Sequence, residues 1–153
     1  MKYYLDTEFD GPRLISIAIV SQTGKEAYYA FECEVQDEWV RENVIPVVTC
    51  EGATPEILSS IIELHQRLSD YLAGDSSPVF IADWPTDFQH FLPLLHDNMG
   101  NMCVEIPSFT CYVQRVDAYP TELYGAIQHN ALWDARALRL KVDPFATITP
   151  FLR

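Results

Sequence analysis

The sequence is poor in positive charge. Its 10 lysine and arginine residues stand against 22 aspartate and glutamate residues, which gives a formal net charge of −12 at pH 7. Long nucleic acid binds through lysine and arginine that neutralise phosphates, so this charge argues against a basic nucleic-acid-binding surface. Action on a phosphodiester through bound metal is not excluded, because metal ions bring their own positive charge and carboxylates hold them.

Several other features are missing. No run of about 18 apolar residues is present, which predicts that no segment spans a membrane. The N-terminus reaches charged residues almost at once, unlike a signal peptide. No CxxC pair and no zinc-ligand spacing occurs, so we expect reduced thiols in a cytoplasmic protein. The cysteines are Cys33, Cys50, Cys103 and Cys111.

The length and patterning predict one α/β domain over residues 1–153, without an internal repeat, low-complexity segment or linker. Three early strands predict an antiparallel meander, and strands alternating with helices after it predict layers around a mixed sheet. The predicted strands are Lys2–Asp6, Arg13–Val20, Glu26–Val35, Val79–Ala82 and Ile106–Tyr112. The predicted helices are Asp37–Asn43, Thr54–Ala73, Thr86–Asp97 and Asn130–Leu140, and Val142–Arg153 is a predicted surface tail.

Two carboxylates end the first strand in the segment YLDTEFDG. Asp6 and Glu8 are two residues apart, so on a strand both side chains point to the same side. Close carboxylates repel each other unless a cation lies between them, which makes this pair a candidate metal site. A solvated polar strand end is the alternative. Asp10 precedes Gly11-Pro12, and we assign it to a turn.

Another candidate carboxylate follows the predicted strand Val79–Ala82. Asp87 lies near the start of the next predicted helix, where the helix dipole favours an acidic residue. Asp83 competes with Asp87 for a functional role, although it is also placed to turn the chain before Trp84-Pro85. The sequence leaves both aspartates as candidates.

The segment HNALWDA combines a histidine and an aspartate five positions apart. Residues at i and i+5 do not share a helix face. If Asn130 caps the last helix, His129 lies outside it and is free to lean over the site to which the helix brings Asp134. The alternative is a surface histidine and a first-turn aspartate on an amphipathic helix.

Together these segments resemble the DEDDh exonucleases of the ribonuclease H-like superfamily. DTEF, with Asp6 and Glu8, is similar to the first motif of that family, and Asp87 occupies the position of the second. HNALWDA, with His129 and Asp134, resembles the third motif, H-x-A-x-x-D-A. The opening YYLDTEF and the compact length are most similar to the small mycobacterial-type 3′–5′ exoribonuclease branch.

The resemblance implies a ribonuclease H-like fold and two divalent cations, Mg²⁺ or Mn²⁺, held by Asp6, Glu8, Asp87 and Asp134. Asp6 would bridge both ions, and two ions can stabilise the attacking and leaving oxygens of a phosphodiester. His129 would take a proton from the attacking water, a role that suits a neutral imidazole.

The expected substrate is the 3′ end of single-stranded RNA or DNA, and the exoribonuclease branch favours RNA. Phe9 follows the carboxylates directly and is a candidate for stacking on the terminal base, although a core position is the commoner role for such a residue. Trp39, Trp84 and Trp133 are most simply core or interface anchors. The resemblance also implies a homodimer.

Two rival functions are compatible with parts of the sequence. A non-catalytic acidic protein could mimic nucleic acid and occupy a basic site on a partner. That function would account for the net charge but not for the ordered carboxylate motifs. A metal-dependent endonuclease on the same scaffold is the other rival, and His129 and the lack of a basic substrate track argue against it.

Overall fold

The computed structural model describes residues 1–116 and 123–144. These residues form a six-stranded mixed sheet flanked by helices, which confirms the predicted α/β, ribonuclease H-like fold class. The strands are β1 (Lys2–Asp10), β2 (Arg13–Ser21), β3 (Glu26–Phe31), β4 (Glu56–Leu58), β5 (Val79–Ala82) and β6 (Thr110–Val113). The helices are α1 (Glu38–Asn43), α2 (Ile61–Leu72), α3 (Pro85–Phe91) and α4 (Ala131–Val142), with 3₁₀ turns at Ile45–Val47 and Leu92–Leu95.

The strand order in the sheet is β4-β3-β2-β1-β5-β6. Strands β1, β2 and β3 pair antiparallel, which confirms the predicted meander, and the other pairings are parallel. Strand β1 extends further than predicted, and Asp10 both ends it and opens the turn at Gly11-Pro12, as the sequence indicated. Asp10 is the last residue of the strand, where it pairs with Arg13, and its carboxylate accepts a 2.6 Å hydrogen bond from the backbone N–H of Gln36.

The predicted helix start at Thr54-Pro55-Glu56 was wrong. Glu56–Leu58 forms strand β4, which pairs in parallel with Tyr29–Phe31 at the sheet edge. Helix α2 begins after Ser60, whose side chain accepts a hydrogen bond from the backbone N–H of Glu63. Serine with glutamate three residues later is the sequence signature of a capping box, and here the Glu63 carboxylate accepts hydrogen bonds from the backbone N–H and the hydroxyl of Ser59. This helix-start signal outweighs Thr-Pro because the sheet edge engages the earlier residues.

Two further boundaries differ from the prediction. Helix α3 ends at Phe91, and a 3₁₀ turn follows at Leu92–Leu95, because Pro93 lacks the backbone N–H that would continue the α-helix. The last strand, β6, is shorter than the predicted span 106–112 and shifted towards the C-terminus. The predicted surface tail lies outside the described residues from position 145 onward, and helix α4 continues through Val142.

Alternate residues of β1 face opposite layers of helices. Tyr3 and Leu5 pack in one core with residues of α2 and α3, such as Leu68 and Phe91. Tyr4 packs on the other face against α4. This alternation places Asp6 and Glu8 on the α4 side of the sheet, as their spacing predicts.

The four cysteines carry free thiols. Among the helices of residues 1–116 and 123–144, none is both long enough and apolar enough to cross a membrane.

Candidate metal centre

The carboxylates of Asp6 and Glu8 project from the part of β1 that lies beyond its pairing with β5. That parallel pairing ends with Tyr4 beside Ile81. The antiparallel pairing with β2 continues, with a β-bulge immediately after Glu8. Bulges bend a strand and re-aim its side chains, and here the bulge adjoins the second carboxylate.

The position of Asp83 follows directly from the register of β1 and β5. Strand β5 ends at Ala82, one residue past the partner of Tyr4, so the next residue of the chain lies level with Asp6. Asp83 is half-buried at this sheet edge. The parallel register therefore brings two aspartates from distant parts of the sequence side by side.

Asp87 lies in the first turn of α3 and is held by β1. Its Oδ1 accepts a 2.8 Å hydrogen bond from the Thr7 hydroxyl and a 3.1 Å hydrogen bond from the Thr7 backbone N–H. Thr7 lies between Asp6 and Glu8 along β1. Its side chain points to the α3 side of the sheet, whereas theirs point to the opposite side. Asp87 is only 3% exposed, and its Oδ2 has no hydrogen-bond partner within residues 1–116 and 123–144.

Asn130 fixes the start of α4, as predicted. Its side-chain oxygen accepts 3.1 Å hydrogen bonds from the backbone N–H groups of Leu132 and Trp133. Its amide nitrogen donates to the carbonyl oxygen of Val47 at 2.8 Å and to the hydroxyl of Tyr28 at 3.2 Å. A fully buried asparagine thus caps the helix and ties it to β3 and the first 3₁₀ turn.

The spacing of His129 and Asp134 has a direct structural basis. The backbone N–H of His129 donates a 3.0 Å hydrogen bond to Oδ2 of Asp134. His129 has a φ of 63°, a left-handed conformation that turns the chain just before the cap residue. Its ring packs edge-on against Trp39, with the ring centroids 4.9 Å apart. The backbone of His129 orients the aspartate, while the imidazole lies outside the helix.

Two overlapping groups of carboxylates result. One contains Asp6, Glu8 and Asp134, and the other contains Asp6, Asp83 and Asp87. Within each group, one oxygen from each residue lies within 4.8 Å of the others. The four carboxylates predicted from sequence are therefore brought together, and both candidates for the second motif lie in the same group.

Burial and mutual repulsion perturb these carboxyls. Burial, with the nearby charges of Asp134 and Asp87, raises the pKa of Glu8 to about 8. Burial raises the pKa of Asp134 to about 7 and that of Asp87 to about 6, although hydrogen bonds from His129 and Thr7 oppose these shifts. Burial and the surrounding carboxylates raise the pKa of Asp6 well above its usual value.

The donor set fits divalent cations. Oδ2 of Asp6 and Oδ2 of Asp87 are both buried without a hydrogen-bond partner among the described residues. A buried, unpaired carboxylate oxygen is costly unless it is protonated or meets a cation. Mg²⁺ and Mn²⁺ prefer oxygen ligands of this kind. Asp6 belongs to both groups and is the residue placed to contact two ions.

Three aromatic side chains are neighbours of site residues in the sequence or contact His129. The ring of Phe9, the candidate base-stacking residue, is itself stacked on His90, with a centroid distance of 4.2 Å. Trp39 and Trp84 are 52% and 51% exposed, so neither is a core anchor, and the alternative role as interface anchors stays a prediction. The Arg115 guanidinium lies over the Trp84 ring at 4.0 Å. Trp39 contacts His129 in space, and Trp84 follows Asp83 in the sequence. Composition alone did not indicate either position.

Trp133 does lie in the core, as expected, and is 7% exposed. It packs against Arg136, which also forms an ion pair with Glu26 at 2.6 Å and so fastens α4 to β3. These contacts hold Asp134 against the sheet.

No protein-family model matches this chain, and no curated protein matches it. The function is therefore inferred from the motifs and from the geometry of the site.

Proposed function

We propose that the protein is a metal-dependent 3′–5′ exonuclease that hydrolyses the terminal phosphodiester bond of single-stranded nucleic acid, with RNA as the favoured substrate. The observation that carries the proposal is the pair of carboxylate groups that share Asp6. Two ions that share one ligand are suited to the attacking and leaving oxygens of a single displacement.

In this proposal Asp6, Glu8, Asp87 and Asp134 hold two Mg²⁺ or Mn²⁺ ions. When bound, the ions supply Lewis acidity at the phosphodiester and lower the pKa of a bound water. Thr7 fixes one oxygen of Asp87 by two hydrogen bonds and leaves the other free to bind a cation. The backbone N–H of His129 fixes one oxygen of Asp134 in the same manner.

The imidazole of His129 is the proposed general base. Burial lowers the pKa of His129, so the neutral form that accepts a proton is favoured at physiological pH. The ring is not a member of either carboxylate group, so the proposal assigns it to proton transfer and not to ion binding. Its edge-on contact with Trp39 limits the orientations that the ring can take.

Exposed aromatic rings next to the carboxylates support a single-stranded substrate. Trp39 contacts His129, and Trp84 directly follows Asp83, so both could stack on unpaired bases near the cleaved bond. Phe9 could use only the face that His90 leaves open. The net charge of −12 disfavours a long duplex, whose binding would require many basic contacts. A homodimer remains an expectation from the resemblance.

The placement of the carboxylates also weighs against an acidic mimic of nucleic acid. Such a mimic should present its carboxylates across an exposed surface. Asp87 is buried, and Asp6, Glu8, Asp83 and Asp134 are partly buried and converge in two groups that share Asp6. Convergence raises their pKa values, because each carboxylate repels the others. This repulsion is a disadvantage for a mimic, which needs charged carboxylates, whereas a bound cation would relieve it.

The test is a time course on 5′-labelled single-stranded RNA and DNA with Mn²⁺, Mg²⁺ or EDTA. We expect a ladder that shortens from the 3′ end, requires metal, and is lost in Asp6→Ala and His129→Ala proteins. Asp70→Asn, which removes an exposed carboxylate from α2, is the matched control and should leave activity unchanged. Substrates that stay intact with every metal would contradict the proposal, and cleavage of a circular single strand would favour the endonuclease.

A further inference from the structure

Asp83 is not needed for the four-carboxylate set, yet the sheet register places it beside Asp6. Without Asp83, one group has three carboxylates, from Asp6, Glu8 and Asp134, while the other has only Asp6 and Asp87. With Asp83, each group has three, and all candidate ligand atoms of a group lie within 4.8 Å of one another. The position of Asp83 therefore gives the two groups the same number of carboxylates.

No structural role accounts for Asp83 among residues 1–116 and 123–144. The N-cap position of α3 is occupied by Trp84, and no side chain caps that helix end. The backbone N–H of Asp83 donates a hydrogen bond to the carboxylate of the same residue, which opposes the raised pKa of Asp83, and the charge of Arg115 opposes it less strongly. The Arg115 guanidinium is directed over the Trp84 ring and forms no ion pair with Asp83 in the described structure. The Asp83 carboxylate is thus left facing the other aspartates.

Asp87 gives an independent indication that a cation belongs in this group. The residue is 97% buried, as its exposed fraction is 3%, and Thr7 occupies only its Oδ1. Oδ2 is buried without a partner, in the same group as Asp83. A cation shared by Asp6, Asp83 and Asp87 would satisfy that oxygen and relieve the repulsion among the three side chains.

We propose that Asp83 is a metal ligand together with Asp87, so that the centre contains five carboxylates and each of two cations contacts three of them. This inference rests on the proposed function, because it assumes a two-ion site. It differs from the resemblance to DEDDh exonucleases, which assigns a single second-motif aspartate. The second ion is held by both aspartates of the ADWPTD segment rather than by either one.

The test measures binding of MnCl₂ alone, by isothermal titration calorimetry, to the full chain after removal of metal. We expect the wild-type protein to bind two ions. Asp83→Asn should weaken one of them at least about 10-fold, since even residues that only orient a ligand cost roughly 10–100-fold in affinity. The other ion should keep its affinity within about 3-fold. Asp70→Asn is the matched control for loss of an exposed charge, and both ions should be unaffected.

The outcomes separate this inference from the proposed function. If wild-type protein binds two ions and Asp83→Asn binds both with unchanged affinity, Asp83 is not a ligand, while the two-ion site stands. If Asp83→Asn weakens both ions equally, its charge acts at a distance and the inference is again wrong. If wild-type protein binds no Mn²⁺, both proposals fail. Melting curves in EDTA verify folding, and Asp83→Ser provides a second variant that should show the same selective loss.

Discussion

Replacement of Glu8 by glutamine should stabilise the metal-free protein, and the gain should grow as the pH rises from 4.5 to about 8. Burial and neighbouring carboxylates raise the pKa of Glu8 from 4.5 to about 8. A carboxyl with a raised pKa binds its proton more tightly in the folded state than in the unfolded state. Its contribution to stability is therefore present below pH 4.5 and is lost as the pH rises to about 8. Glutamine has nearly the same shape as protonated glutamate and never acquires the charge.

The size of the effect follows from the shift in pKa. One pKa unit corresponds to about 1.4 kcal/mol, so the shift of Glu8 from 4.5 to about 8 is worth on the order of 5 kcal/mol at alkaline pH. A chain of 153 residues loses about 2–4 °C in Tm per kcal/mol. In EDTA, the Tm of Glu8→Gln should exceed that of wild type by only about 2–3 °C at pH 5 and by roughly 10–20 °C at pH 9.

The assay is differential scanning calorimetry in EDTA over pH 5 to 9. Glu42→Gln, on the exposed surface of α1, is the matched control and should follow wild type at every pH. Saturating Mn²⁺ should reverse the order at pH 8, because the wild-type site gains more from binding the ion. A Tm difference between Glu8→Gln and wild type that stays constant with pH would refute the reasoning.

Two further predictions concern the helix α4 segment. Burial lowers the pKa of His129 below 6.5, so its imidazole stays neutral above that pH. With saturating Mn²⁺, kcat should therefore decline only on the acid side of pH 6.5. His129→Gln should lower kcat by about 10²–10⁴-fold and remove that acid limb without changing Mn²⁺ affinity, and an unaltered limb would count against the general-base role. Asn130→Ala removes a buried cap that accepts two backbone hydrogen bonds and donates to Val47, so it should reduce the free energy of unfolding by about 2–4 kcal/mol. Chemical denaturation measures that loss, and Asn43→Ala at an exposed position serves as the control. A loss below about 0.5 kcal/mol in Asn130→Ala would contradict the role of Asn130 as the helix cap.

Features that depend on neighbouring residues were predictable from the sequence. The meander follows from apolar runs separated by turn residues, and the side-by-side placement of Asp6 and Glu8 follows from the two-residue period of a strand. The start of α4 follows from Asn130, since asparagine is a preferred N-cap residue. Each of these is set by a short segment of chain.

Features that depend on distant partners were missed. Thr54-Pro55-Glu56 has a local preference for a helix start, but pairing of Glu56 with Tyr29 places the residues that follow in β4. The Ser60–Glu63 capping box was a local signal that could have located α2 correctly. The grouping of Asp83 with Asp6 required the parallel register of β1 and β5, which the sequence does not contain in any one segment.

The Arg136–Glu26 ion pair attaches α4 to β3 and spans 110 positions of the sequence. This separation affects when the attachment can form during synthesis. Ribosomes deliver β1 first and α4 much later, so a nascent chain can carry Asp6 and Glu8 long before Asp134 exists. Closure of so long a loop carries an entropic cost that contacts within a short segment do not have. The Asp6–Glu8–Asp134 group therefore cannot form until synthesis has passed α4. Chain order alone delays the assembly of this carboxylate group.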